Sequence, residues 1–220
     1  MRLLRRSRPA LLALSIIAGA CLHSTGAKAD EIRDIVVAGG CFWCVEADFE
    51  RVQGVKEAVS GYTGGNVANP TYKQVTGGGT GHYEAVRISY DSDSINRNQL
   101  YDLFFRSIDP TDPDGQFCDR GQSYATAIFV SNAAERAAAE EAKADAEAEL
   151  GQEIVTPILD AKPFYEAEDY HQDYYKGTNR VLTRFGPIQQ AEAYKRYREG
   201  CRRDARIEEL WGSDAPFLTN

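Results

Sequence analysis

The chain has 220 residues, a formal net charge of −8 and 43% hydrophobic residues. This length is enough for one well-buried core, and it favours a single domain. The acidic excess argues against nucleic acid as a partner, because binding to phosphates depends on Lys and Arg. After the N-terminal region no apolar stretch is long enough to cross a bilayer, so we expect no stable membrane association.

The first 29 residues have the features of a cleaved signal peptide. A basic segment at 1–8 precedes an apolar segment at 10–22, and Ala27-Lys28-Ala29 matches the small-residue cleavage rule. Cleavage after Ala29 would leave 191 residues and remove five Lys and Arg, which changes the formal charge from −8 to −13. We therefore expect an exported, periplasmic protein whose single domain spans 30–220.

Two features of this leader leave alternatives open. Cys21 follows small residues and would be the lipid-bearing residue if the protein were a lipoprotein, although its flanking sequence fits that rule less well. Arg5-Arg6 is compatible with twin-arginine export as well as with Sec export.

Apolar periodicity and turn residues predict the following elements. In chain order they are a strand at 35–38, a helix at 41–52, a strand at 55–62, a short helix at 72–76, a strand at 82–90, a helix at 98–108, a long loop at 109–121, a strand at 124–130, a helix to residue 150 capped by Asn132, a strand at 154–159, and helices at 168–175 and 189–197. The order follows no regular βαβ rhythm. It predicts an α+β fold, a single-domain two-layer sandwich whose mixed or antiparallel central sheet has flanking helices.

The run 39–46 places Cys41 where the first strand ends and the first helix begins. Backbone N–H groups at a helix N-terminus favour negative charge, so this position predicts a nucleophilic thiolate. Cys44 follows one helical turn later and can trap an oxidised Cys41 as a disulfide. Phe42 and Trp43, between the two cysteines, can form an apolar pocket.

Four cysteines follow the leader, at positions 41, 44, 118 and 201. An even number in an exported chain is typical of structural disulfides, but a domain of this size depends less on them. We therefore favour at least one redox-active cysteine. Zinc needs about four ligands. Because only His82 and His171 accompany these scattered cysteines, we expect no metal.

Six strings in the chain resemble, in order, the motifs of the peptide methionine sulfoxide reductase A family. They extend over nearly all of the chain after the leader, which makes the resemblance specific. They are Gly40-Cys41-Phe42-Trp43, Gly61-Tyr62-Thr63-Gly64-Gly65, Asn69-Pro70-Thr71-Tyr72, Gly81-His82-Tyr83-Glu84-Ala85-Val86, Cys118-Asp119-Arg120-Gly121 with Tyr124, and Tyr170-His171-Gln172-Asp173-Tyr174-Tyr175.

The resemblance implies a peptide-methionine (S)-S-oxide reductase that repairs oxidised proteins. In this family pattern Cys41 is the nucleophile, which attacks the sulfoxide sulfur and becomes a sulfenic acid. Glu84 matches the acid that protonates the sulfoxide oxygen. A carboxylic acid that stays protonated near neutral pH needs a raised pKa, and this requires partial burial.

The resemblance also assigns the residues around the substrate. Tyr72 and Tyr124 match phenols that hydrogen-bond the sulfoxide oxygen, and Asp119 matches a polar group at the substrate. Phe42 and Trp43 match the aromatic wall that accepts the substrate methyl group. Supporting roles fall to two further motif residues, Glu46 and His82.

The residue that resolves the sulfenic acid stays open among Cys44, Cys201 and Cys118. A common form of the family has Gly where Cys44 stands. Cys44 is favoured because a short loop costs little closure entropy, although its place on one helical turn with Cys41 counts against it. The resemblance implies a thioredoxin-like dithiol as the reductant and no bound cofactor, and we expect a monomer.

Two other functions stay open beside the reductase. A thioredoxin-like thiol–disulfide oxidoreductase would use the Cys41/Cys44 pair. A secreted binding domain would be stapled by the disulfides Cys41–Cys44 and Cys118–Cys201 and would contain no stable free thiol.

Overall fold

The computed structural model describes residues 31–184 and 186–218, so the predicted signal peptide lies outside the described residues. The strands in this part of the chain are Ile32–Gly39 (β1), Val55–Thr63 (β2), Tyr83–Asp91 (β3), Gly115–Gln116 (β4), Asp119–Arg120 (β5), Thr126–Val130 (β6), Ile158–Asp160 (β7), Tyr165–Glu166 (β8), Arg180–Thr183 (β9) and Gly186–Gln189 (β10). The α-helices are Phe42–Phe49 (α1), Tyr72–Thr76 (α2), Arg97–Phe105 (α3), Ala133–Leu150 (α4), Gln190–Gly200 (α5) and Arg203–Trp211 (α6).

Six strands form one mixed sheet in the order β7-β6-β1-β3-β2-β8. β3 is antiparallel to both β1 and β2, and β6 pairs antiparallel with β1 but parallel with β7. Because β3 lies between β1 and β2, the segment β1–α1–β2 is a split βαβ unit. This arrangement puts the start of α1 beside β3.

The helices cover one face of this sheet, as the two-layer prediction requires. Val37, Val86 and Ile88 point to that face and are completely buried against residues of α1, α3, α4 and α6. A smaller cluster around Ala85 and Phe129 covers part of the other face. The predicted α+β fold with a mixed central sheet and flanking helices is therefore confirmed.

Side-chain caps fix where three of the helices begin. Thr71 and Asn96 start α2 and α3 with capping boxes, in which a Gln three residues later returns a hydrogen bond to the cap. Asn132 accepts a hydrogen bond from the Glu135 N–H and caps α4 as predicted. Within the described residues, none of the helices combines the length and the apolar composition needed to cross a bilayer.

Some predicted elements differ from the structure. The predicted helix at 168–175 is two 3₁₀ turns, Asp169–His171 and Tyr174–Lys176, because Asp173 between them adopts a left-handed backbone with φ 55°. The predicted strand at 154–159 is confined to β7. The hairpin of β9 and β10 and the last helix, α6, were not predicted.

Candidate active site

Cys41 is the N-cap of α1, at the end of β1, as the sequence predicts. The two preceding glycines are required there. Gly40 has φ +81°, and a Cβ on it would lie 2.5 Å from the Cβ of Gln116. A Cβ on Gly39 would lie 2.9 Å from Val45 Cγ2. The chain therefore turns tightly, and the Cys41 side chain, only 6% exposed, borders a cavity.

This cavity has a volume of about 50 Å³ and brings most of the predicted site residues together. Its lining contains the nucleophile candidate, the acid candidate, both phenols, the aromatic pair, the predicted polar group and one residue that was not predicted: Cys41, Glu84, Tyr72, Tyr124, Phe42, Trp43, Asp119 and Tyr197. The sequence motifs thus converge on one place, although Cys41 and Tyr124 are 83 residues apart in the sequence.

Glu84 reaches the cavity from the helix-facing side of β3. Its Oε2 accepts a hydrogen bond from the Phe42 N–H over 3.1 Å, whereas its Oε1 is buried without a hydrogen-bond partner among residues 31–184 and 186–218. Burial raises the pKa of this carboxyl to about 8; the Phe42 N–H opposes the shift and nearby Asp119 adds to it. Glu84 is therefore a protonated acid at neutral pH, and its free oxygen is available to a substrate.

Two phenols lie beside this acid. The hydroxyl groups of Tyr72 and Tyr124 interact with each other, and burial followed by the charge of Glu84 raises the pKa of each phenol. Both therefore stay protonated and can donate hydrogen bonds. Across the cavity, the Tyr197 hydroxyl donates to Asp119 Oδ2, and burial raises the pKa of Asp119.

The indole of Trp43 forms a fixed wall of the site. It stacks on Tyr174 with ring centroids 3.8 Å apart and an interplanar angle of 7°. Its Nε1–H donates to His171 Nδ1 over 3.1 Å. Burial lowers the pKa of His171 to about 4, so the imidazole is neutral and accepts this bond. The wall can hold an apolar group such as a methyl.

Cys41 and Cys44 are both free thiols and both buried. Burial, followed by a hydrogen bond with Cys44, raises the pKa of Cys41, so the expectation of a thiolate at Cys41 in the resting site is wrong. The same hydrogen bond, followed by the guanidinium groups of Arg203 and Arg198, lowers the pKa of Cys44. The helix N-terminus thus does not overcome the desolvation of Cys41.

Cys118 and Cys201 form a disulfide that joins the loop after β4 to the segment between α5 and α6. Cys118 is exposed and Cys201 is half-buried. Both are more exposed than Cys41 and Cys44. The disulfide lies beside the site, because Cys118 precedes Asp119 and Cys201 follows Tyr197 by one helical turn.

The two residues with predicted supporting roles lie outside the cavity. Glu46 is 1% exposed, accepts hydrogen bonds from the Ser60 hydroxyl and the Asp173 N–H, and so ties α1 to β2 and to the 3₁₀ turns. His82 accepts a hydrogen bond from the Gly65 N–H through Nδ1. Gly65 has to be glycine there, because a Cβ would lie 2.4 Å from the imidazole.

Sequence reasoning missed Tyr197, the contact of His171 with Trp43, and the buried amide of Gln116. Gln116 Nε2 donates to the Asp109 carbonyl over 2.7 Å and closes the long loop on itself, while the Gln116 side chain packs beside Gly40. His171 lies in one of the family-like motifs, so its motif could have indicated a role in the site. Tyr197 lies on an amphipathic helix outside the motifs, and nothing in its local sequence distinguishes it.

The cavity therefore contains a buried cysteine, a carboxylic acid that is protonated at neutral pH, two phenol donors and an aromatic wall. This combination defines a thiol-dependent enzyme that can protonate an oxygen of its substrate while sulfur attacks.

Comparisons with known proteins identify the family. The family model described as peptide methionine sulfoxide reductase matches residues 33–204. The chain is 47% identical over 195 residues to peptide methionine sulfoxide reductase MsrA 2 of Rhizobium meliloti, which covers 89% of this chain and 91% of that protein. It is 45% identical over 181 residues to MsrA of Bacillus licheniformis, covering 80% and 91%. The chain belongs to the peptide methionine sulfoxide reductase family.

Solved structures agree with this assignment. The crystal structure of Mxr1 from Saccharomyces cerevisiae in reduced form has a TM-score of 0.63 and 31% identity, covering 66% of this chain and 84% of that one. Methionine sulfoxide reductase A of Corynebacterium diphtheriae has a TM-score of 0.59 and 30% identity, covering 66% and 74%. The family contradicts the thioredoxin-like alternative, and the free thiols of Cys41 and Cys44 contradict a binding domain stapled by them.

Proposed function

We propose that this protein reduces the S epimer of methionine sulfoxide, in proteins and as the free amino acid, with Cys41 as the nucleophile and Glu84 as the acid. The observation that carries this proposal is the protonated Glu84, which lines the same cavity as Cys41 and whose Oε1 has no hydrogen-bond partner among the described residues. Attack by a thiol at a sulfoxide sulfur needs a proton on the departing oxygen, and a buried acid is suited to supply it.

The substrate sulfoxide would lie between Cys41 and the aromatic wall. Its methyl group would pack on Trp43, and its oxygen would accept hydrogen bonds from Glu84, Tyr72 and Tyr124. Cys41 attacks the sulfur, Glu84 protonates the oxygen, and methionine leaves while Cys41 keeps the oxygen as a sulfenic acid. Asp119, bonded to Tyr197, orients the polar side of the cavity.

Cys44 is the favoured resolving residue. Its thiol is free and in contact with Cys41, whereas Cys118 and Cys201 are bonded to each other. Attack of Cys44 on the sulfenic acid releases water and forms the Cys41–Cys44 disulfide. An external thioredoxin-like dithiol then reduces this disulfide, and the reaction needs no bound cofactor. The chain acts as a monomer.

Export to the periplasm completes the proposal. The leader at 1–29 supports it, and so does the Cys118–Cys201 disulfide, because such bonds persist mainly in oxidising compartments. Expression in a bacterial host followed by N-terminal sequencing of the periplasmic fraction tests it. Cleavage after Ala29 is expected; a cytoplasmic protein that retains residues 1–29, or a lipid on Cys21, would overturn it.

The activity itself is tested with two synthetic peptides that carry either the S or the R sulfoxide epimer. Dithiothreitol replaces the natural reductant, and the methionine formed is measured for the wild type and for Cys41→Ser. We expect reduction of the S epimer alone, and only by the wild type, since a serine hydroxyl is a far weaker nucleophile than a thiolate. Equal methionine formation by Cys41→Ser would exclude the proposed nucleophile.

A further inference from the structure

A buried ion cluster lies beneath Cys44. Asp48 follows Cys44 by four residues, so the two share a face of α1, and the Asp48 side chain is completely buried. The side chains of Arg198 (α5) and Arg203 (α6) are 4% and 2% exposed. Arg198 Nη1 donates to Asp48 Oδ1 over 2.9 Å, and Arg203 Nε is 3.9 Å from Asp48 Oδ2. Two buried cations thus share one buried carboxylate.

The surroundings of the cluster do not remove this positive excess within the described residues. Asp204, whose side chain is 25% exposed, binds Arg198, but half-exposed Arg51 adds a third cation on Asp48. Arg203 Nε and Asp48 Oδ2 have no hydrogen-bond partner in this part of the chain. Unbalanced buried charge is costly, and an anion on the neighbouring sulfur of Cys44 would reduce that cost.

The two thiols have different charged neighbours. Asp119 and Glu84, which is protonated at neutral pH, act on Cys41, whereas the two guanidinium groups, opposed by the single carboxylate of Asp48, act on Cys44. The other titratable groups near the pair are phenols whose pKa is raised by burial, so they stay neutral and do not offset the guanidinium charge: Tyr174, Tyr194 and Tyr197. In the resting site the negative charge of a thiolate is therefore more stable on the Cys44 sulfur than on the Cys41 sulfur.

We propose that Arg198 and Arg203 are positioning residues that hold Cys44 as the resting thiolate, so that Cys44 is the base that accepts the proton of Cys41. This inference rests on the proposed function of the same site. It gives Cys44 two successive tasks, as the base in the reduction step and as the resolving group afterwards.

The proton of the Cys41 thiol moves to the Cys44 sulfur, and the freed electron pair of Cys41 bonds to the substrate sulfur. Glu84 gives its proton to the sulfoxide oxygen. The hydroxyl passes to Cys41, so the substrate sulfur gains two electrons and Cys41 loses two. The Cys44 sulfur then bonds to Cys41, the S–O bond breaks, and the hydroxyl leaves as water with the Cys44 proton.

The test measures the thiolate of Cys44 by its ultraviolet absorbance during a pH titration of the reduced protein, with Cys44→Ser as the difference reference. Arg198→Gln and Arg203→Gln remove a charge but keep a hydrogen-bond donor, and the matched variants Arg198→Lys and Arg203→Lys restore the charge. Loss of an opposite charge at close range shifts a pKa by about one pH unit or more. We expect an upward shift of this size in the Gln variants and recovery in the Lys variants.

Asp48→Asn should shift the titration midpoint of Cys44 in the opposite direction. The substitution removes the carboxylate that competes for the two cations, so the Cys44 thiol should titrate at lower pH. A cluster with a merely structural role would not move the titration in opposite directions for Arg and Asp substitutions. This variant also keeps the test decisive if the buried arginine variants fail to fold. Arg51→Gln is the graded control: its side chain is 48% exposed and solvent screens its charge, so it should raise the midpoint by less than Arg198→Gln or Arg203→Gln.

Single-turnover methionine formation is followed over the same pH range. Its rising limb should move with the Cys44 titration in each variant. Unchanged titrations in folded Arg→Gln variants, or an Asp48→Asn shift to higher pH, would overturn the proposal. A wild type that titrates as expected but forms no methionine would refute the proposed function instead, so the two failures are distinguishable.

Discussion

The two cysteine pairs of this protein differ in burial, in bonding and in their neighbours. Cys41 and Cys44 are 6% and 1% exposed, free, and adjacent to an acid and to buried cations. Cys118 is exposed and Cys201 half-buried, and this pair, called the surface pair below, is bonded across a sequence separation of 83 residues. The first pair can react because its surroundings supply protons and stabilise charge. The second pair joins two distant segments, which is how a disulfide stabilises a fold.

The largest expected effect is on turnover, and it should differ between substitutions in the two cysteine pairs. With a thioredoxin as the reductant, Cys44→Ser should reduce turnover to the background level, because the sulfenic acid on Cys41 has no internal partner. The double variant Cys118→Ser/Cys201→Ser should retain turnover within about a factor of three of the wild type. Steady-state methionine formation measures both, and the reverse pattern would show that the surface pair resolves the intermediate.

Glu84 acts in the reaction at Cys41 and not at the Cys118–Cys201 disulfide. Its substitution should have the second largest effect. Glu84→Gln should lower the single-turnover rate by about 10²–10⁴-fold, the usual contribution of a positioned general acid. In the wild type the rate should fall as the pH rises above about 8, because Glu84 then loses its proton. The variant should lack this limb. A falling limb that survives in Glu84→Gln would assign it to another group.

Removal of the surface disulfide should affect stability rather than chemistry. Cys118→Ser/Cys201→Ser should lower the free energy of unfolding by about 2–4 kcal/mol, because the unfolded chain regains the freedom that the cross-link removes. Denaturant unfolding without a reductant measures the loss. Wild-type protein with both surface cysteines reduced is the matched control and should show the same loss. An unchanged midpoint would mean that the bond contributes nothing to the fold.

Glu84 should also make stability depend on pH in a defined direction. Its folded-state pKa is raised to about 8 from 4.5, so the folded protein keeps a proton that the unfolded chain loses. Wild-type stability should therefore fall relative to Glu84→Gln by about 1.4 kcal/mol per pH unit within this window. Unfolding of both proteins at several pH values measures the difference. A difference that does not change with pH would contradict a buried, protonated Glu84.

Local patterns predicted most of this structure. The strand–Gly-Gly–Cys–helix run placed Cys41 at the N-cap of α1, and the alternation in β3 put Glu84 on the same face as Val86. The Asn132 cap was visible for the same reason, since a cap is a short-range interaction.

The misses have long-range causes. Cys41 was expected to be a thiolate, but burial and groups on other elements raise its pKa and lower that of Cys44. These groups lie on β3, α5 and α6, and no local sequence pattern encodes their proximity. The disulfide Cys118–Cys201 was anticipated only within the binding-domain alternative, because this pairing depends on how α5 packs against the loop after β4. The break at Asp173 occurs at a left-handed residue whose N–H donates to Glu46 of α1, a partner 127 residues away in the sequence.

Disulfide mapping after one turnover tests most directly whether Cys41 and Cys44 react while Cys118 and Cys201 stay bonded to each other. Reduced protein, freed of reductant and reoxidised only at the surface pair, is mixed with excess S-sulfoxide peptide, and its disulfides are identified by mass spectrometry. We predict one methionine per protein, a new Cys41–Cys44 bond and an unchanged Cys118–Cys201 bond. A bond from Cys41 to Cys118 or Cys201 would contradict a purely catalytic role of the first pair and a purely structural role of the second.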